Sequence, residues 1–392
     1  MPALHLFNPG HETAVLLGTP FYTPPRNVVI MTQDLGCLPL WYANPGDLVY
    51  TRKTANTRFV QTIPFDTSLF PSEFCTDINK STIYTARPWG ISPHVLHQFQ
   101  QIKKETIINL VIPEWKERYT TLIGRKTTVL CHRQIMELCS DVEIPAIPLL
   151  FHSGSEIEDY ISKATLPVIV KAPYSSSGKG LLWLRKPFLS TSEKNWIKGT
   201  IQRQGFVSLE KGLEKTMDFA MEFYSDGKGQ IQYEGLSVFN TEKGAYTGNK
   251  LASQIVLQKE IEEQAEKTLQ PIRETVSQVL ENVYGREYRG YLGVDMLLYQ
   301  KNRKTHLHPC VEVNMRFTMG LVALRLTERF VHPEAEGKFY ITYHKEKGEA
   351  EKEHQQLLSK YSLELQDGKI VKGYVSLCPV SEQTHYRAFI LV

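Results

Sequence analysis

Two stretches of the chain combine residue types in the way that phosphate and metal chemistry requires. The first is Val168-Ile169-Val170-Lys171-Ala172-Pro173-Tyr174-Ser175-Ser176-Ser177-Gly178-Lys179-Gly180. A lysine at the end of an apolar, β-branched run, next to a loop of hydroxyl and glycine residues, suits a polyphosphate. Lysine supplies a point charge, while serine hydroxyls and backbone N–H groups line the anion. Glycine lets the backbone approach closely. The loop is not a Walker A loop, because Tyr174 stands where the first glycine is required and Gly180 where Ser or Thr is required. A hairpin connection rich in turn residues is the plain alternative.

The second stretch is Gly293-Val294-Asp295-Met296-Leu297-Leu298-Tyr299 followed by His308-Pro309-Cys310-Val311-Glu312-Val313-Asn314-Met315-Arg316. These read as two strands joined by a polar turn at 301–304. Side chains alternate along a strand, so Glu312 and Asn314 share one face while Val311 and Val313 take the other. If the strands are antiparallel neighbours, Asp295 approaches Glu312. Two carboxylates and an amide oxygen are the hard ligands that Mg²⁺ prefers. A polar solvent face on a half-exposed strand is the alternative. His306, His308 and Cys310 fall on the face of Glu312 if the strand is regular, which raises zinc. Pro309 and a missing fourth ligand favour polar or core roles for them instead.

The elements that must position these residues fall into three segments. Over 1–118, short apolar runs at 4–7, 28–32 and 48–51 are candidate strands, broken by Asn8-Pro9-Gly10 and Asn44-Pro45-Gly46-Asp47, with a mainly helical stretch at 94–115. Strands alternating with helices predict an N-terminal α/β domain with a mostly parallel sheet. Over 119–212 an amphipathic helix from about 125 to 140 leads into strand–helix–strand–strand–helix–strand, a small α+β unit of lid size. Ser153 or Ser155 caps its short helix. Over 213–392 lie long strands at 216–224, 230–239, 291–299 and 306–314, a long polar helix at 259–284, a helix at 321–330, a charged helix near 345–360 and two late strands. The charged helix reads as a solvated face.

With 392 residues, 42% hydrophobic and 22% charged, the chain is of globular composition and long enough for two or three domains. A formal charge of +3 gives no ground for nucleic-acid binding. Six scattered cysteines without a CxxC pair read as reduced thiols, and the sequence shows neither a signal peptide nor a membrane-spanning run. A cytoplasmic protein without membrane or nucleic-acid partners is expected.

The order of these motifs over about 120–320 resembles the ATP-grasp superfamily, with its biotin carboxylase-like and D-alanine ligase-like carboxylate ligases. The resemblance implies an ATP-grasp fold of mixed α/β and α+β class, in which a pre-ATP-grasp-like domain precedes the lid and the larger metal-bearing domain. Lys126 matches the family's first phosphate lysine, with Arg125 as the other cation at that place, and Lys171 matches the second. Ser175, Ser176, Ser177, Gly178, Lys179 and Gly180 match the loop that covers the phosphates. Glu210 and Lys211 match the adenine-recognising hinge, and Asp218 an acidic position near ribose or substrate. Asp295, Glu312 and Asn314 match the metal set, Arg316 an arginine that steadies the reacting carboxylate or phosphate, and Lys250, with Asn249, a position near the γ-phosphate or substrate. Asn8-Pro9-Gly10-His11-Glu12 and Arg87-Pro88-Trp89-Gly90 stand where strand ends line an acceptor pocket. The implied cofactors are ATP and Mg²⁺, with Mn²⁺ able to replace it. The implied activity is ADP-forming ligation of a carboxylate to an amine or thiol through an acylphosphate, in a protein that admits a homodimer. A kinase on the same fold and a non-catalytic nucleotide-binding or scaffold protein are the alternatives.

Overall fold

The computed structural model describes residues 1–51, 59–74, 81–139, 143–175, 180–242 and 244–392. Two compact units emerge, each discontinuous in sequence: Met1–Lys116 with Thr247–Val256 and Arg316–Val392, and Glu117–Tyr246 with Leu257–Met315.

The first unit opens with β1 (Ala3–Leu6), buried at every residue as an inner parallel strand must be. α1 (His11–Leu17) is bounded by Gly10 and Gly18, both in the left-handed region that glycine adopts without penalty. There follow α2 (Arg26–Asp34), β2 (Leu48–Tyr50), the single turn α3 (Phe59–Thr62), β3 (Ser72–Phe74), β4 (Ile83–Pro88), α4 (Pro93–Thr106) and β5 (Asn109–Val111). The strands form the expected parallel sheet, in the order β3-β2-β1-β4-β5. The Asn44–Asp47 turn fastens onto it. The Asp47 carboxylate accepts the backbone N–H of Ala3 at 2.7 Å and of Asn44 at 2.9 Å, and lies 3.2 Å from His5 Nε2. Burial alone would raise the Asp47 carboxyl, but His5 and the backbone donors hold it below the usual range.

Two local expectations are corrected here. Residues 28–32 are helical, inside α2. Their β-branched composition favours a strand, but Pro25 presets the turn ahead of them and Asp34 anchors the far end. Asp34 Oδ2 accepts the backbone N–H groups of His385 (2.9 Å) and Tyr386 (3.0 Å). The stretch 94–115 holds α4 and then β5, because Ile107 takes a left-handed conformation that ends the helix.

The second unit begins with α5 (Arg118–Ile123) and α6 (Arg125–Leu138), then β6 (Leu149–Phe151), α7 (Gly154–Ile161), β7 (Val168–Lys171), β8 (Leu181–Leu184), α8 (Thr191–Gln204) and β9 (Val207–Lys211). Ser153 caps α7 by accepting from Glu156 N, and Ser190 with Glu193 forms a capping box on α8. The four strands make an antiparallel sheet, β6-β9-β7-β8, whose core includes Ile157, Val170, Ile197 and Leu209.

The chain continues through β10 (Glu214–Asp226), β11 (Ile231–Glu242), β12 (Ala245–Leu251), α9 (Gln254–Ala265), α10 (Gln270–Tyr284), β13 (Arg289–Lys301) and β14 (Lys304–Asn314). Within the second unit the strands run β14-β13-β10-β11, each antiparallel to the next. Asn302 and Arg303 both have positive φ, the turn geometry that matches the twist of a two-residue hairpin between β13 and β14. The 259–284 stretch is two helices rather than one. Glu266 takes a left-handed conformation, and Pro271 sits in the first turn of α10.

The remainder of the first unit comprises α11 (Met319–Phe330), β15 (Gly337–Tyr343), α12 (Glu349–Lys360), β16 (Glu364–Gln366), β17 (Lys369–Lys372), β18 (Tyr374–Ser376) and β19 (Tyr386–Leu391). There β12 pairs with β15, β15 with β19 and β19 with β18, all antiparallel. Trp41 Nε1 donates to Leu377 O at 2.7 Å and Arg329 Nη1 to Ala43 O at 2.6 Å. Trp41, Phe65, Phe70 and Phe330 pack ring on ring beneath these bonds. The C-terminal segment and the parallel sheet thus share one core. None of the described cysteines forms a disulfide, and no described helix is long and apolar enough to cross a membrane.

Asp34→Ala leaves two backbone N–H groups without their acceptor, so a loss of about 2 kcal/mol in urea unfolding is expected, against a smaller loss for Asp34→Asn, which keeps one acceptor oxygen.

Candidate functional site

The β13–β14 hairpin carries the predicted metal set. Its register puts Asp295 directly opposite Glu312 and Gly293 opposite Asn314. Directly opposed residues share a sheet face, so all three oxygen-bearing side chains project from the same side. Glycine opposite Asn314 leaves room beside the amide. On β10, Ala220 is opposite Asp295 and Glu222 is opposite Gly293, which extends the same face to a further carboxylate. Glu222 is buried and accepts from Ser237 Oγ at 3.3 Å. It is absent from the sequence-derived set. Its signal was the alternation Asp218-x-Ala220-x-Glu222, which gains meaning only once the register is known. Asp218 itself lies further along the strand, bonded to Lys215 and to Thr241 Oγ1, the latter at 3.0 Å.

The two cations at the first position differ in burial and partners. Arg125 opens α6 and is buried, whereas Lys126 is exposed with its Nζ 4.9 Å above the Phe206 ring. Arg125 Nη2 donates to Glu312 Oε1 at 3.0 Å, and its backbone N–H donates to Pro173 O at 3.2 Å. Arg125 Nη1 is buried without a hydrogen-bond partner among the described residues. A guanidinium with one arm on a carboxylate and another unmet suits an incoming anion. Thr128, one turn further along α6, fixes the helix to the hairpin by accepting Val313 N at 3.2 Å.

Lys171 ends β7, and its Nζ lies 2.6 Å from Glu210 Oε2 with both side chains largely buried. The register explains the pair. Glu210 stands opposite Ile169 and Lys171 opposite Ser208, so the two are diagonal neighbours on one face. Lys211 is exposed. Ser175 and Gly180 bracket the loop, whose base is closed by Ala172 N donating to Gly180 O at 2.8 Å. A Cβ on Gly180 would come 2.2 Å from Ser175 Oγ, so only glycine fits there. Tyr174 steadies the entry by donating from its hydroxyl to Thr120 O at 2.9 Å. Ser176, Ser177, Gly178 and Lys179 lie outside the described residues.

His308 and Cys310 are not aligned as zinc ligands would be. The hairpin gains two residues on β14 between the Leu297–His308 and Asp295–Glu312 pairs, and Cys310 lies in that bulge. His308 packs against His132 with ring centroids 4.9 Å apart, and burial drives the basicity of both rings down. Burial also pushes the Cys131 thiol up to about 12 and the Cys310 thiol well above its ordinary value. Among the described residues, no three His, Cys, Asp or Glu side chains converge on a point where they would hold a metal; the face at Asp295 and Glu312 is completed by an amide.

No family model matches the sequence, and no curated protein does. Solved structures do. Biotin carboxylase from Campylobacter jejuni, crystallised as a β,γ-ATP complex, aligns over 100% of this chain and 87% of its own with a TM-score of 0.52 at 10% identity. The ADP complex of PurK, an N5-carboxyaminoimidazole ribonucleotide synthetase, aligns over 100% and 92% with a TM-score of 0.50 at 10% identity. The chain has the ATP-grasp fold. At this identity the likeness extends to the ATP-grasp architecture alone.

Two of the expected site residues belong to the first unit. Lys250, on β12, lies 2.9 Å from Glu336 Oε2. Arg316 donates from Nε to Glu12 Oε1 at 2.9 Å and from Nη1 to Phe317 O at 3.1 Å. Burial alone would raise the Glu12 carboxyl, but the neighbouring His11 and Arg316 overcome it and hold Glu12 well below the usual carboxylate range.

Glu12 therefore stabilises the first unit while ionised. A depressed carboxyl contributes fully above its unfolded value, near 4.5, and the contribution falls as pH drops below that. In urea midpoints measured from about pH 7 down to about pH 3.5, the wild-type margin over Glu12→Gln should hold to about pH 4.5 and then shrink. A margin independent of pH would contradict the pairing.

Proposed function

We propose that this chain is an Mg-ATP-dependent, ADP-forming ligase that activates a carboxylate as an acylphosphate for attack by an amine. The observation that carries the reading is the face formed by Asp295, Glu312 and Asn314, with Arg125 bonded to Glu312, on a chain of ATP-grasp fold. Its donors are hard oxygens on neighbouring strands, which fit Mg²⁺ and fit Zn²⁺ or copper poorly. A bound Mg²⁺ would supply charge neutralisation for the β- and γ-phosphates.

In this reading the side chains act mainly by position and charge. The Lys171–Glu210 pair opens to present Lys171 to phosphate, while Glu210 and the adjacent backbone meet the adenine. The unmet arm of Arg125 takes a phosphate oxygen. The segment between Ser175 and Gly180 covers the phosphates and keeps water from the acylphosphate. A substrate carboxylate oxygen attacks the γ-phosphorus and ADP leaves. The amine then adds to the acyl carbon, loses a proton and expels phosphate.

A coupled assay for ADP, with phosphate measured separately over a panel of amino acids, short peptides and small carboxylates, tests this. ADP and phosphate should appear together, and only when both a carboxylate and an amine are present. Glu312→Gln should lower turnover at least about 100-fold with the fold intact. A stable phosphorylated product, or turnover unaffected by Glu312→Gln, would contradict the ligase reading.

A further inference from the structure

The Lys171–Glu210 pair carries a cost that its opening must meet. Both side chains are largely buried, 7% and 13% exposed, with Nζ 2.6 Å from Oε2. When nucleotide draws Lys171 toward phosphate, as the ligase reading requires, Glu210 is left a buried carboxylate without its cation. Removing one partner of a buried pair is strongly unfavourable unless another charge replaces it. The amino group of adenine can donate a hydrogen bond to Glu210, and so can the hydroxyl of Ser208 on the same strand face, but neither brings a positive charge.

A group able to supply that charge stands close by, within the second unit. His132, on α6, is 1% exposed, and its ring packs on that of His308 from β14 with centroids 4.9 Å apart. Neither His132 nitrogen has a hydrogen-bond partner of ordinary geometry among the described residues. His308 differs, because its Nδ1 accepts the backbone N–H of Cys310 at 3.3 Å, which commits that ring to the neutral form. The described charges that act on His132 come from Glu210 on β9 and Lys171 on β7. Burial is the largest influence and holds the ring neutral; Glu210 and the Pro145 carbonyl favour a proton, and Lys171 opposes one. Cys131 on α6 and Cys310 on β14 are kept as neutral thiols by burial and add no charge. Departure of Lys171 therefore removes the cation that opposes protonation and leaves Glu210 acting on the ring alone.

We propose that His132 is a positioning residue for Glu210: it takes a proton from solvent when nucleotide displaces Lys171, and returns it when nucleotide leaves. Glu210 thereby stays ionised and paired while it meets the base. His308 does not charge at the same time, since two imidazolium rings in contact repel and its Nδ1 lone pair is already used. Binding that takes up a proton is favoured by lower pH, so nucleotide affinity should rise as pH falls through the histidine range. The inference rests on the proposed use of Lys171 for phosphate.

Two measurements test it. In the first, ¹⁵N NMR follows the His132 ring without nucleotide in Lys171→Met, which reproduces the loss of the cation. Half-protonation should move from below pH 6.5 in the wild type to above it in Lys171→Met, and return below it in Lys171→Met/Glu210→Gln. Lys171→Met keeps His132 in place, so this result stands whether or not a His132 variant folds. In the second, the full chain is titrated calorimetrically with ADP and Mg²⁺ in two buffers of different ionisation enthalpy. Near pH 6.5 the wild type should take up about one proton more than His132→Gln, with no difference by about pH 9. Protons of the nucleotide itself are common to both proteins and cancel. A His132 ring that titrates alike in the wild type and Lys171→Met would overturn the proposal. Equal proton uptake by the wild type and His132→Gln would overturn it too, and would place any such proton on Glu210. Failure of ADP to bind would overturn the ligase reading and this use of His132 together, whereas binding with equal uptake removes the role of His132 alone.

Discussion

The arrangement on which the second unit turns is an electrostatic conflict: Asp295 and Glu312 stand directly opposite one another on adjacent antiparallel strands. Like charges in that position destabilise a sheet, and Glu222 adds a buried carboxylate on the same face. Cations offset such a face. Arg125 does so for Glu312 at 3.0 Å, and in the proposed reading a divalent ion held by Asp295, Glu312 and Asn314 would add to it.

Several otherwise separate features serve this arrangement. α6 must begin at Gly124–Arg125 so that the arginine enters the site, and its backbone bond to Pro173 ties it to the end of β7. The Tyr174 hydroxyl on Thr120 O and the Ala172 N–Gly180 O bond fix the two ends of the segment between Ser175 and Gly180. The Asn302–Arg303 turn sets the hairpin register, and the two-residue bulge in β14 adjusts it so that Glu312, rather than its neighbours, meets Asp295. A bulge beside a site re-aims side chains in this way.

Much of this was legible in the sequence because it is local. Alternation along 289–314 and the apolar run ending at Lys171 define their strands and faces without tertiary information. The burial of Arg125 against Glu312, beside an exposed Lys126, was not legible, since it depends on which direction the first residues of a helix face. Glu222 needed the β10 register. The helix at 28–32 was hidden because its β-branched composition points to a strand, while the contacts that decide it come from His385 and Tyr386 at the far end of the chain. β12 was hidden by its glycine. A Cβ at Gly248 would come 2.0 Å from Phe339 O, so glycine at that position permits a close strand pairing.

The most direct test of the central claim is anomalous diffraction from crystals grown with ADP and Mn²⁺, collected near the manganese edge. The account predicts that the strongest manganese peak lies within coordinating distance of Glu312 and either Asp295 or Asn314, with phosphate oxygens against Arg125 and Lys171. ADP bound with no manganese at these side chains, or a metal peak elsewhere in the second unit, would contradict it.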